Sequence, residues 1–230
     1  MLLLLFVATI AWSQEPPKFS VETNAYPYLD PVKTDTDLTA IINWRRLPGR
    51  LSYFSYMNFR GAFSDTDFEF SRSEQNLRWA ISDSLPVDLS LQGIIVDGDG
   101  NDVTQVGIGW RVHNTPGMSG FFSRAGLIYR VTWQFKRFAG GDDSAWQIEH
   151  FFNWVVPGLD RRLYLSGFVD QTFDHNLSDA FPTRPIVAEV QGGIRLFNEV
   201  YAVVEYRVND FRLGDQHNLA AGLEYKLLIK

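Results

Sequence analysis

Charged side chains recur at every second position in the C-terminal part of the chain, and this spacing is the first sign of chemistry. Glu205 and Arg207 flank Tyr206, and Glu224 and Lys226 flank Tyr225 in the same way. Side chains of a β-strand alternate between two faces, so charges at this spacing share one face. Opposite charges across a narrow space orient a dipolar solute, and aromatic rings among them offer stacking surface for a planar base.

The candidate solute-binding residues are the charged and aromatic side chains on these polar faces. They are Phe122, Arg130, Glu149, Phe151, Phe168, Asp170, Glu189, Arg195, Glu205, Arg207 and Glu224. Further side chains predicted to lie on the polar faces of their strands are Arg45, Arg60, Arg78, Arg111, Arg124, Lys136, Tyr164, Tyr201 and Lys226. A second interpretation is that these residues only fill and neutralise the interior of a closed barrel.

The elements that position these residues are strands. Alternation of apolar and polar residues extends over about ten residues at a time, longer than the strands of most soluble sheets. The predicted strands lie near 18–26, 36–46, 50–60, 66–81, 87–97, 103–113, 121–138, 144–156, 161–173, 186–197, 200–209 and 218–229. In the fourth, Phe68 and Phe70 are out of phase with Leu77 and Trp79, which indicates a β-bulge or inward-facing aromatic rings.

The connections between these strands alternate in character. Tight turns are predicted near 46–49, 82–86, 157–160 and 198–199, whereas 27–35, 97–102, 139–144, 174–185 and 209–217 are longer or more acidic. A meander with short turns at one end and longer loops at the other is typical of transmembrane β-barrels of the outer-membrane type. The fold class is therefore all-β, an antiparallel up-and-down barrel of about 12 strands. An even number of strands puts both termini at the short-turn, periplasmic end.

A soluble lipocalin-like barrel or β-sandwich is the competing fold, because the same alternation fits either face pointing outward. Two observations favour the membrane. The apolar faces are nearly free of charge, and Trp44, Trp79, Trp110, Trp133 and Trp154 lie near predicted strand ends, as in an interfacial aromatic girdle. The net charge of −6 and pI near 5.2 argue against a nucleic-acid-binding protein.

The N-terminal residues predict export. Leu2 to Ala11 form an apolar block, and Ala11-Trp12-Ser13 places small residues where a signal peptidase reads. Residues 1–13 are predicted to be a signal peptide and 14–230 a single barrel domain. The alternative is a buried first strand or helix.

Catalysis and metal binding have weaker signals. Residues 97–102 resemble the start of a calcium loop, but position 108, where the closing glutamate would fall, is isoleucine. His175 lies in a predicted loop, and His113 has no serine on its own or a clearly facing strand. The prediction is a protein that is not an enzyme and that has no cofactor and no metal site.

The segment from about 120 to 175 resembles the Tsx-like family of nucleoside-specific outer-membrane channels. The first matching segment is 126–135, Gly-Leu-Ile-Tyr-Arg-Val-Thr-Trp-Gln-Phe, and it is followed by the acidic loop 141–144. After the loop come Trp146-Gln147-Ile148-Glu149 and then 163–170, Leu-Tyr-Leu-Ser-Gly-Phe-Val-Asp. The resemblance implies a monomeric twelve-stranded barrel whose narrow lumen binds nucleosides weakly during passive diffusion. It implies this role for Phe122, Arg130, Gln134, Glu149, Phe151, Phe168 and Asp170.

The sequence as a whole predicts a passive channel in the bacterial outer membrane. Its partners would be outer-membrane lipid and small polar solutes, with nucleosides as the solute that the family resemblance implies. A non-conducting structural or adhesive barrel is the first alternative, and a lipid-modifying barrel enzyme is the second.

Overall fold

Twelve strands form one closed antiparallel barrel within the residues that the structure, a computed structural model, describes: 19–27, 35–62, 69–97, 102–139 and 144–229. The strands are β1 (Phe19–Pro27), β2 (Asp35–Leu47), β3 (Leu51–Ala62), β4 (Glu69–Ala80), β5 (Val87–Val96), β6 (Val103–Trp110), β7 (Leu127–Ala139), β8 (Trp146–Val155), β9 (Leu163–Phe173), β10 (Ile186–Phe197), β11 (Val200–Asn209) and β12 (His217–Ile229). The short helix α1 (Ser119–Ala125) lies between β6 and β7.

Each strand pairs with its neighbours in sequence, and β1 closes the barrel against β12. The closing register joins Phe19 to Ile229 and Ala25 to Leu223. Closure gives each of the twelve described strands two partners, so none of them is an unpaired sheet edge. The predicted up-and-down meander is confirmed.

The two faces of the barrel wall differ in polarity, with the apolar face outward. In β12, Leu223 is 56% exposed whereas its neighbour Glu224 is 2% exposed. The same holds in β5, where Leu89 and Leu91 are exposed and Gln92 is buried. This is the reverse of a soluble barrel, whose apolar side chains fill the interior. The outer wall is therefore built to contact lipid.

Tryptophan side chains mark both ends of this outer wall. Trp44, Trp79, Trp110 and Trp154 lie at the short-turn end of β2, β4, β6 and β8, and each is at least one-third exposed. Trp146 begins β8 at the other end, and Trp133 lies in the middle of β7. Tryptophan favours the boundary between lipid and water, so this arrangement fits a membrane-spanning barrel. Among the described residues, no helix is long and apolar enough to cross a membrane.

The phase switch predicted in the fourth strand is a β-bulge. Asn58 pairs with Arg72 and Phe59 pairs with Phe70, so Ser71 has no partner on β3. The extra residue restores the outward position of Phe70, which packs edge-to-face on Phe59 at 6.2 Å between ring centroids. Phe68 lies outside the described residues.

A second bulge in β7 contradicts one predicted inward residue. Gly107 pairs with Gln134 and Val106 with Lys136, so Phe135 is the extra residue. Beyond it the parity of the strand reverses. Lys136 therefore lies on the outer face, with Nζ 5.2 Å from the ring centroid of the exposed Phe138. Arg137, which pairs with the buried Gln105, takes the inward position.

The connection between β6 and β7 also differs from the prediction. The seventh strand was expected to begin at 121, but it begins at Leu127, and residues 112–125 form a 3-10 turn followed by α1. The longest connection thus lies at the end where short turns were expected. Pro116 and Gly117 interrupt strand structure, and Gly126, at φ 69°, ends the helix in the left-handed conformation that favours glycine. The prediction began the strand too early because Phe121 and Phe122 of α1 are apolar like the strand residues that follow.

Some predictions lie outside the described residues. These are the signal peptide, residues 1–13, and the centre of the acidic 97–102 segment, of which Asp97 and Asp102 are described.

Candidate solute-binding site in the barrel interior

Five of the predicted residues lie side by side across the inner wall. Arg130 of β7 pairs with Phe151 of β8, Phe151 with Phe168 of β9, Phe168 with Glu189 of β10, and Glu189 with Arg207 of β11. Directly opposed side chains lie about 5 Å apart at their Cβ atoms, so these five make one continuous strip. We call it the aromatic row. It places two phenyl rings between a cation on one side and an ion pair on the other.

The two arginines of the aromatic row form ion pairs with carboxylates. Arg207 Nε lies 3.1 Å from Glu189 Oε2 and also contacts Glu205. At the other end, Arg130 Nη2 lies 3.9 Å from Asp88 Oδ2. The side chains of Arg130 and Glu189 keep 18% and 20% of their surface accessible, and both rings are partly accessible. A solute in the interior can therefore reach the row.

The next row of the inner wall, toward the longer loops, carries further predicted residues. Thr132 pairs with Glu149, and Glu149 pairs with Asp170. Glu149 Oε1 accepts a hydrogen bond from Thr132 Oγ1 at 3.2 Å and lies 3.6 Å from Arg78 Nη2. Glu149 and Asp170 thus bring two carboxyl groups next to the aromatic row.

Gln134 belongs to a separate amide cluster instead of the aromatic row. Gln92, Gln105 and Gln134 are buried, and both Gln105 Nε2 and Gln134 Nε2 donate to Gln92 Oε1 at 3.3 Å. Gln92 Nε2 in turn donates to Glu74 Oε1 at 2.7 Å. Among the described residues, the amide oxygens of Gln105 and Gln134 accept no hydrogen bond. Both residues are at most 1% exposed, so these oxygens are shielded from a solute in the interior.

A third group of residues surrounds Glu224 near the short-turn end. Its carboxylate accepts hydrogen bonds from the Tyr164 hydroxyl and from Gln191 Nε2, the latter at 3.0 Å, and Lys226 Nζ lies 3.1 Å from it. Tyr201 of β11 pairs directly with Glu224. This network connects the inner faces of β9, β10, β11 and β12.

Three predicted residues lie apart from these rows of the inner wall. Phe122 lies in α1 and not on a strand, so its assignment to an inward strand face is wrong. Arg124, of the same helix, is exposed and donates from Nε to the carbonyl of Gly120 at 3.2 Å. Arg195 lies at the short-turn rim, where its Nη2 donates to the carbonyl of Asp160 at 3.0 Å and supports the β8–β9 turn.

Sequence reasoning included Arg78 of β4 but missed the other inward residues of β4 and β5. Glu74, Asp88 and Gln92 join the predicted residues through ion pairs and hydrogen bonds. The signal was present, because Asp88 and Gln92 alternate with the exposed Leu89 and Leu91.

The histidines make local contacts. His113 Nδ1 lies 2.8 Å from the carbonyl oxygen of Tyr129, and His175 Nε2 lies 2.9 Å from that of Pro182. His150 and His217 stack on the outward-facing Tyr129 and Tyr206. These contacts anchor loops and outer-wall rings.

The closed barrel, apolar outside and charged inside, defines the class as a membrane β-barrel with the porin fold. The NanC porin superposes with a TM-score of 0.56 at 8% identity, over 91% of this chain and 100% of that chain. The KdgM porin superposes with a TM-score of 0.52 at 9% identity, over 90% and 98%. The KdgM porin in complex with disordered oligogalacturonate gives 0.51 at 9% identity, over 90% and 98%.

At these identities the likeness shows the fold alone. No protein-family model matches the sequence, and no curated protein gives a significant match. The likeness to porins does not test the predicted nucleoside specificity or the monomeric state, which stay predictions.

Proposed function

We propose that the protein is a passive channel for small polar solutes in the bacterial outer membrane, and that nucleosides are its preferred solutes. The aromatic row carries this proposal. It presents two phenyl rings to the interior between Arg130 and Glu189, next to the carboxylates of Glu149 and Asp170. A planar base can stack on Phe151 and Phe168, while the charged groups hydrogen-bond its heteroatoms and the sugar hydroxyls. A dissociable site of this kind lets a solute enter and leave.

The experiment is solute uptake into liposomes that contain the refolded mature chain. Radiolabelled nucleoside is followed beside a sugar and an amino acid of similar size. We expect saturable flux with preference for the nucleoside. Uptake of all three solutes at equal, unsaturable rates would contradict the nucleoside proposal and leave a general channel.

The variant Phe168→Ala tests the role of the row. Stacking of a base on an aromatic ring is worth about 1–3 kcal/mol. Its loss should therefore raise the half-saturating nucleoside concentration by about fivefold or more. The matched control is Phe135→Ala, which removes an exposed phenyl ring from the outer face of β7. The half-saturating nucleoside concentration of this control should equal that of the wild type. A change of equal size in both variants would contradict the assignment of Phe168 to the solute-binding surface.

The amide cluster favours the second candidate function, a non-conducting structural barrel. Gln92, Gln105 and Gln134 are buried and joined by hydrogen bonds across three strands. Side chains packed in this way could fill the barrel interior at the level of the amide cluster. Absence of flux for every solute, with the heat-modifiable barrel band intact on a gel, would favour this function over the channel.

A further inference from the structure

The interior holds a second site near the short-turn end, formed by Tyr164, Tyr201 and Glu224. The rings of Tyr164 and Tyr201 meet edge-to-face, with centroids 5.6 Å apart. Lys226 Nζ lies 3.9 Å from the Tyr164 ring centroid, 5.3 Å from that of Tyr201 and 3.1 Å from Glu224 Oε2. One ammonium group is thus enclosed by two aromatic faces and a carboxylate, and we call this arrangement the ammonium cage.

The position of each cage residue follows from the strand register. Tyr201 and Glu224 are direct partners on β11 and β12, and Lys226 follows Glu224 on the same face. Tyr164 comes from β9 and must reach past β10 and β11 to meet Glu224 of β12. It can do so because its partner on β10 is Gly193, and the Tyr164 ring lies where a β-carbon of any other residue would be. The cage is therefore a built feature of four neighbouring strands.

The chemistry of the cage selects cations. Aromatic faces attract an ammonium group within about 6 Å of the ring centroid, and more strongly when the site is partly desolvated. The side chain of Glu224 is 1% exposed, so its charge is poorly screened by water, whereas Lys226 keeps 13% of its side chain accessible. Lys226 is therefore the more accessible member of this ion pair.

We propose that the ammonium cage binds small organic ammonium solutes, and that Lys226 is a tethered occupant with which such a solute exchanges. This deepens the proposed channel function and rests on it, since the solute reaches the cage through the lumen. It extends the solute class to cations. The loops at the opposite end of the barrel carry a large excess of aspartate over lysine and arginine, which would concentrate cations at that mouth.

The test is equilibrium binding of n-butylammonium to the protein in detergent micelles, measured by calorimetry. Lys226→Met empties the cage of its own cation while keeping a side chain of similar length. A tethered competitor acts at a high effective concentration. We therefore expect the variant to bind n-butylammonium about tenfold or more tighter than the wild type, and not to bind n-butanol. In Lys226→Met, the further change Glu224→Gln should abolish this binding.

Two matched variants isolate the cage. Lys226→Arg keeps a cation in place and should bind n-butylammonium as weakly as the wild type does. Lys136→Met removes a lysine from the outer face and should likewise match the wild type. If Lys226→Met does not fold, Lys226→Ala replaces it. The proposal would be overturned if a folded Lys226 variant bound n-butylammonium no tighter than the wild type does. It would also be overturned if adding Glu224→Gln left the affinity of that variant unchanged.

Binding in micelles requires no conduction, so this test is separate from the flux experiment. Tight amine binding without solute flux would support the cage and contradict the channel. Solute flux without amine binding would support the channel and contradict the cage.

Discussion

At the residue scale, two glycines decide where interior side chains lie. A β-carbon on Gly193 would fall on the Tyr164 ring, and one on Gly107 would fall on the side-chain amide of Gln134 and the carbonyl oxygen of Trp133. Each glycine thus lets a larger side chain lie flat against the wall. The hydrogen bonds of Tyr164 to Glu224 and of Gln134 to Gln92 both depend on this close approach.

The substitution Gly193→Ala should therefore destabilise the barrel. The added methyl group forces the Tyr164 ring away from the wall and weakens its bond to Glu224. Overpacking of this kind costs about 1–3 kcal/mol. We expect a lower urea midpoint for the loss of the heat-modifiable band in detergent.

The control for this prediction is Gly93→Ala, also in a strand. A β-carbon on Gly93 would meet no heavy atom within 4 Å. Its midpoint should be equal to or slightly above that of the wild type, because alanine restricts the unfolded chain. Equal midpoints for both variants would show that the Tyr164 position does not require Gly193.

At the scale of the element, bulges set which residues of a strand face the interior. The bulge in β4 keeps Phe70 outward, and the bulge in β7 exchanges Lys136 for Arg137 as the inward cation. Periodicity showed the first bulge, because Phe70 is visibly out of phase with Leu77. Periodicity did not show the second bulge. Phe135 and Phe138 both suit the outer face, and Lys136 and Arg137 are both basic, so the pattern does not tell which of these two faces the interior.

The β7 register can be measured with spin labels, because the chain contains no cysteine. Single cysteines at positions 136 and 137 would each carry a nitroxide in the reconstituted barrel. We expect the label replacing Lys136 to collide more with lipid-soluble oxygen, and the label replacing Arg137 to collide more with a water-soluble nickel complex. The opposite order of accessibilities would mean that β7 has no bulge at Phe135.

At the scale of the whole molecule, charge is divided between the two ends of the barrel. The six connections at the end away from the termini contain three basic residues and twelve aspartates. The basic residues are Lys33, Arg184 and Arg212, and the aspartates are Asp30, Asp65, Asp67, Asp97, Asp99, Asp102, Asp142, Asp143, Asp174, Asp179, Asp210 and Asp215. The connections at the other end carry Arg50, Arg111, Arg124, Arg161 and Arg162 against Asp83, Asp160 and Glu199. From this distribution of charge we expect a negative field at the end of the barrel away from the β6–β7 connection.

This field predicts cation selectivity that depends on salt. The Debye length is about 30 Å at 0.01 M salt and about 3 Å at 1 M. In planar bilayers, the reversal potential under a potassium chloride gradient should show potassium preferred over chloride at low salt, with the preference declining as salt increases.

A variant with Asp97, Asp99 and Asp102 replaced by asparagine should reduce that preference. The matched control is Asp83→Asn together with Glu199→Gln, which removes acidic groups from the opposite end. A chloride preference in the wild type at low salt would contradict the prediction.

The sequence was sufficient for the repeating parts of the fold. Strand β12 could be assigned because Leu219, Leu223 and Leu227 share one parity and Glu224 the other. Each residue of the aromatic row could be predicted to face the interior. Their side-by-side arrangement could not be predicted, because the partner of Phe151 depends on the length of the β8–β9 turn. Phe122 was misplaced, because an apolar pair in a short helix gives the same local signal as the start of a strand.

The alternation of polarity, the order of the strands and the mixed charge of one face could be predicted from the residues alone. The inward direction of the charged face, and the partners of its charges, became clear only in the folded barrel. The reason is physical: a period of two looks the same whichever face is outward, so polarity alone does not orient the wall. Likewise, the pairing of Arg207 with Glu189, or of Lys226 with two tyrosine rings, is set by the register between strands, which the alternation along one strand does not show.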